Sequence, residues 1–143
     1  MESRLVGIEI GKLRNKLYRL QRKHYTSEAK TKMTVEEFIL LNMINEQDDQ
    51  ISQDIAIATG KNKSVVMRMV DSLEKKGLVR RMPNPADRRE NLLSITEEGE
   101  KTVRQYHGIE RRLSRQLLEG VDAAELKVFW SVLDRLSAKS KEI

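Results

Sequence analysis

The chain contains no cysteine, which excludes disulfides, thiolate metal sites and thiol-oxidation switches. Histidine is nearly as scarce, with two, His24 and His107, far apart in the chain. There is no H-E-x-x-H and no glycine-rich loop to cradle a phosphate. No catalytic constellation can be assembled from what remains, so neither an enzyme nor a metal or cofactor site is expected. No apolar run approaches the length of a transmembrane helix, and the N-terminus lacks the short apolar core of a signal peptide; a cytoplasmic protein is expected, with no membrane partner. What is present is charge. Of 143 residues, 34% are charged and 38% hydrophobic, the balance of a soluble, helix-rich single domain whose modest core leaves room for completion by a partner subunit.

The charge is segregated. Residues 1–60 carry nine basic and nine acidic side chains, and residues 91–143 again nine of each. Residues 61–90 hold nine Lys/Arg against four acids, so the whole formal excess of +5 lies in this one segment. A positive charge gathered into one stretch is the footprint of a polyanion binder, with double-stranded DNA the expected partner.

The pattern of the same stretch agrees. Asn62 is placed to cap a helix over 62–76. Val66, Met69, Val70 and Leu73 recur at helical spacing and form its apolar stripe. Lys63, Ser64, Met67 and Arg68 fall on another face, which a core does not need. Lys75 and Lys76 suit the negative end of the helix dipole, and Gly77 supplies the stop. Residues 78–82 and 91–95 read as two short strands around a loop holding Pro83, Pro85, Asp87, Arg88 and Arg89. Upstream, Ser52 caps a short helix over 53–59 with Ile55 and Ala56 inside, and Gly60 ends it. Two helices joined so tightly form a helix-turn-helix unit, whose second helix normally enters the major groove.

The flanks are helical. Val6, Ile10, Leu13, Leu17 and Leu20 make a heptad-like seam over 5–23, suited either to the chain's own core or to another subunit; residues 25–32 read as a polar loop. Thr34 and Glu37 form a capping box for a helix over 34–45, with Phe38, Leu41, Met43 and Ile44 inside and a break at Asp48 and Asp49. Thr96 caps a long helix over 97–119, about 35 Å at 1.5 Å per residue. Its stripe is Val103, Tyr106, Ile109 or Glu110, Leu113 and Leu117, and Gly108 within it suggests a close crossing or bend. After Gly120, Asp122 and Glu125 open a last helix with Leu126, Phe129, Trp130, Leu133 and Leu136 along one side.

These residues together, ISQDIA, TG, KS and VDSLEKKGLVRR followed by DRRENLLSIT, resemble the winged-helix regulators of the multiple-antibiotic-resistance (MarR) type over nearly the whole chain. The most specific piece is the wing, with Asp87 and Arg89, then Leu93, Ile95 and Thr96, at the family's D-x-R spacing. Lys61 departs from the usual apolar turn residue, and Ile95 replaces a leucine. The resemblance implies an α+β, mostly helical, winged helix-turn-helix fold in one domain, with 33–96 as the DNA-binding lobe and 1–32 and 97–143 as dimerisation helices. It implies a ligand-responsive repressor that binds a pseudo-palindromic operator as a homodimer. The positions expected at DNA are Lys61, Asn62, Lys63, Ser64, Met67, Arg68, Asp87, Arg88 and Arg89, with Asp87 fixing a wing arginine by a salt bridge. The resemblance also implies an effector pocket, often for phenolic or lipophilic acids, for which Tyr18, Met33, Met43 and His107 are candidates. A nonspecific architectural DNA binder and a winged-helix protein-interaction module are the alternatives.

Overall fold

The computed structural model describes residues 3–47 and 50–143, with the side chains of residues 50–53 and of Ala58 outside that description. The expected break at Asp48 and Asp49 and the cap at Ser52 lie outside the described residues. The backbone divides into two compact units that meet in sequence between Glu110 and Arg111.

The first unit begins with α1 (Val6–Glu28) and α2 (Val35–Glu46), followed by β1 (Gln50–Ile51), α3 (Ser52–Thr59) and α4 (Lys63–Lys75). It ends with β2 (Val79–Pro83), β3 (Asn91–Ile95) and the first part of α5 (Glu97–Leu117). The strands form one antiparallel sheet in the order β1-β3-β2, with Leu93 opposite both Gln50 and Arg81. Apolar periodicity sets the core: Leu40, Leu41 and Ile44 of α2, Ile55 of α3, Val66, Val70 and Leu73 of α4, Leu78, and Leu93 of β3 are all buried. In α2 Leu40 is buried as well, whereas Met43, expected inside, stays partly exposed.

Helix α1 runs to Glu28 instead of giving way to a loop at residue 25. Tyr25 is the reason. It is buried, and its ring meets Tyr106 edge-on at 4.6 Å between centroids and Phe38 at 6.2 Å, while Phe38 stacks on Tyr106 at 5.3 Å. Its polar neighbours Thr26, Ser27 and Glu28 are exposed, and they made the segment read as solvent-side. The connector to α2 is then pinned to α5: the Tyr106 hydroxyl donates to the Thr31 carbonyl at 2.6 Å and accepts from the Met33 amide at 2.9 Å. Burial first, and the Glu110 carboxylate beside it second, push the Tyr25 phenol far above its ordinary range and keep it neutral.

Both expected capping boxes are present, Thr34 with Glu37 and Asp122 with Glu125. At the start of α5, Thr96 Oγ1 accepts from the Gly99 amide at 3.0 Å and donates to the Gly77 carbonyl at 2.7 Å, tying helix start, wing and α4 stop together. Gly99 is needed here, because a Cβ would lie 2.2 Å from the Leu78 carbonyl oxygen. Gly108 has open space around it, so it marks no close crossing among the described residues. In the α5 stripe the buried alternative is Ile109, while Glu110 accepts two hydrogen bonds from Gln21 Nε2, at 2.7 and 2.9 Å.

The second unit holds the end of α5, a turn at Gly120 (φ 86°) and α6 (Ala123–Ser140). No residue of α6 is buried, and the rings of Phe129 and Trp130 lie in the open, 5.1 Å apart.

Candidate nucleic-acid interface

Helix α4 is built to hold one face inward. Asn62 Oδ1 accepts from the Val65 amide at 2.9 Å and caps the first turn, so the expected DNA position Asn62 has its oxygen committed to the helix start. Val66, Val70 and Leu73 are buried; Ser64 and Arg68 are exposed and Met67 is half-buried. The far end closes as a Schellman motif, with Leu78 N–H donating to the Leu73 carbonyl and Gly77 N–H to that of Glu74. Gly77, at φ 77°, takes the left-handed conformation that this requires.

Charge pairs then fix the helix on its lobe. Glu37 Oε2 of α2 accepts from Ser72 Oγ at 2.6 Å and from Lys76 Nζ at 3.2 Å, and Lys76 Nζ also donates to the Lys32 carbonyl at 2.7 Å. Burial would raise the Glu37 pKa, but the hydrogen bonds from Ser72 and Thr34 and the ammonium of Lys76 outweigh it and hold the carboxyl below its ordinary value. On the other side, Arg81 pairs with Asp71 and with Glu74, the latter at 3.4 Å. Of the two adjacent strand arginines, therefore, Arg81 serves α4 and Arg80 is exposed.

The wing is a loop of two successive turns that share Asp87. Asp87 N–H donates to the Asn84 carbonyl, Glu90 N–H to the Asp87 carbonyl and Asn84 N–H to the Glu90 carbonyl. At its tip Asp87 pairs with Arg89, taking Arg89 N–H at 3.0 Å and Nε at 3.2 Å on Oδ1, and Nη2 at 3.4 Å on Oδ2. Those bonds, the side chain's foremost, lower the Asp87 pKa and keep it ionised. The Arg89 side chain is nonetheless 90% exposed, and Arg88 is exposed beside it. Sequence reasoning missed Glu90. Lys63 Nζ lies 2.6 Å from Glu90 Oε1, and the Glu90 side chain is only 11% exposed. The single hint was an acid abutting the second strand of an otherwise basic loop. Lys61, the last of the expected DNA positions, stands partly exposed in the turn, its amide donating to Thr59 Oγ1 at 3.4 Å.

The four candidate effector residues do not come together. Tyr18 and Met33 line a cleft of about 470 Å³ with Arg22, Tyr25, Glu37 and Lys76. His107 and Met43 are not among its walls. His107 Nε2 lies 2.8 Å from Asn42 Oδ1, and its ring meets Phe38 edge-on.

Residues 33–91, the lobe just described, match the model of the MarR family. Solved structures agree over nearly the full length. A structure of MarR is 19% identical, covers 99% of this chain and 95% of its own, and has a TM-score of 0.84. A mutant MarR from E. coli in complex with operator DNA is 24% identical, with 92% of each chain covered and a TM-score of 0.81. The PcaV transcriptional regulator from Streptomyces coelicolor, in complex with its natural ligand, is 21% identical, covers 98% of this chain and 99% of its own, and has a TM-score of 0.76. The winged-helix lobe at residues 33–91 thus carries the MarR family's match, and the fold around it is that of the solved MarR structures.

Proposed function

We propose that this protein is a transcriptional regulator that binds an operator as a homodimer, each subunit laying α4 in a major groove and its wing tip at the neighbouring minor groove. One observation carries the reading. The segment that holds all of the chain's net positive charge is the segment whose apolar face is locked into the lobe, leaving Ser64 and Arg68 on α4 and Arg88 and Arg89 on the wing exposed and Met67 half-buried. The MarR mutant solved with operator DNA supports it.

Repression relieved by a ligand is the regulatory form of the proposal. PcaV was solved with a natural ligand, and the cleft here joins aromatic Tyr18 and apolar Met33 to the cations Arg22 and Lys76, a fit for a phenolic or lipophilic acid. Lys76 also holds the end of α4 through Glu37, so an acid that draws Lys76 away loosens the helix that reads DNA.

The test is Arg68→Ala, with binding measured against an operator selected from a random-sequence duplex pool. Loss of about 1–3 kcal/mol, with relaxed preference at one base pair, supports base readout. Equal loss on every sequence with a shallower salt dependence assigns Arg68 to a phosphate. Unchanged binding by a folded variant removes α4 from the interface.

A further inference from the structure

We propose that Glu90 withholds Lys63 from DNA, making Lys63 a positioning residue that pins the base of the wing to the first turn of α4. This rests on the DNA-binding reading above. Three observations support it. Lys63 and Glu90 stand 27 residues apart in sequence and meet at 2.6 Å, with the Lys63 side chain half exposed and the Glu90 carboxylate almost enclosed. Glu90 also closes the wing loop through its backbone, donating to the Asp87 carbonyl and accepting from Asn84 N–H, so its side chain and main chain join α4 to the loop that carries Arg88 and Arg89. Finally, Lys63 is the first residue of α4, and that first turn contains no acid. A cation there opposes the helix dipole, and the Glu90 carboxylate supplies the negative charge that this end favours.

The energetics favour retention of the pair. If Lys63 swung out to a phosphate, it would leave an enclosed carboxylate without its counter-ion, facing the DNA polyanion. Leaving the enclosed Glu90 carboxylate without its partner costs more than a fully exposed ion pair is worth. Asp87, which also lies in the field of Lys63, would lose the same cation. The α4–wing angle is thereby set before DNA arrives, and one positive charge is kept out of the sequence-independent attraction to phosphates.

The experiment follows the salt dependence of binding by the full-length protein to a fluorescein-labelled, mixed-sequence 24-base-pair duplex between about 50 and 200 mM KCl. Glu90→Gln frees Lys63 while keeping the side chain's shape. It is expected to steepen the slope of log K against log [KCl] by about 0.9 per protomer and to tighten binding to this duplex about 5–10-fold per protomer near 0.1 M salt. Lys63→Gln combined with Glu90→Gln is expected to return the slope to that of the wild type. A merely structural role shifts the melting temperature but does not tighten binding. An unchanged slope in Glu90→Gln overturns the proposal. So does a double variant shallower than wild type by about 0.9, which assigns Lys63 to a phosphate; this arm decides alone if Glu90→Gln fails to fold. If the wild type binds neither this duplex nor any selected operator, the DNA-binding reading itself falls, a result separate from either slope.

Discussion

Glu37 joins the start of α2 to the end of α4. Its Oε1 takes the Thr34 amide, while Oε2 takes Ser72 and Lys76. Its folded pKa lies below the unfolded value, so its stabilisation is complete above about pH 4.3 and disappears as pH falls through the lowered folded value. Glu37→Gln should therefore cost about 1–3 kcal/mol at pH 7. In urea titrations, the gap between variant and wild type should close as pH falls below the ordinary glutamate range; a constant gap would show that the charge is not what matters. Two glycines in α5 give opposite signs. Gly99→Ala drives a methyl into the Leu78 carbonyl and should destabilise by roughly 1–3 kcal/mol or more. Gly108→Ala meets nothing and should stabilise by up to about 1 kcal/mol through helix propensity; thermal melts of both report it. What the sequence made legible at this scale was local: Asn62 on Val65, Thr34 with Glu37, and Asp122 with Glu125 all act across three residues. Partners 27 and 35 residues away, Lys63 for Glu90 and Ser72 for Glu37, left no periodicity to read.

At the scale of elements, the apolar stripes placed α2, α4 and α5 closely, because each has one face buried and one wet. The end of α1 was illegible because a single buried tyrosine, not a repeating stripe, extends the helix through polar residues. The candidate effector set was legible only in part, since Tyr18 and Met33 share a cleft that Met43 and His107 do not line. The wing offers the sharpest element-level test. Asp87 holds Arg89 at the tip while leaving the guanidinium open. A narrow A·T-rich minor groove concentrates negative potential that attracts an inserted arginine. Arg89→Ala should therefore lose most affinity on operators with A·T-rich flanks and less on G·C-rich ones. Asp87→Ala should show a weaker form of the same defect, since the arginine remains without its brace. Equal losses across a flank series at fixed salt would assign the arginine to phosphates alone.

On the scale of the whole molecule, apolar surface is left over in both units. Val6, Ile10 and Leu13 of α1 are exposed, and so are Val128, Phe129 and Trp130 of α6. Exposed apolar residues concentrated on terminal helices call for a partner surface, and a second copy of the chain is the partner proposed here. Sedimentation at micromolar concentration should give about twice the 16.6 kDa chain mass; a monodisperse monomer would remove the twofold operator with the dimer. A twofold protein requires a twofold site, an inverted repeat with half-sites about 10 base pairs apart. The most direct measurement of the central claim is the affinity ratio between an operator selected from random duplexes and a mixed-sequence duplex of equal length, taken at one salt concentration. The account predicts an inverted repeat bound at least about 1,000-fold more tightly than mixed DNA. Equal affinity for both duplexes would contradict sequence-specific regulation, and binding to neither would contradict DNA as the partner.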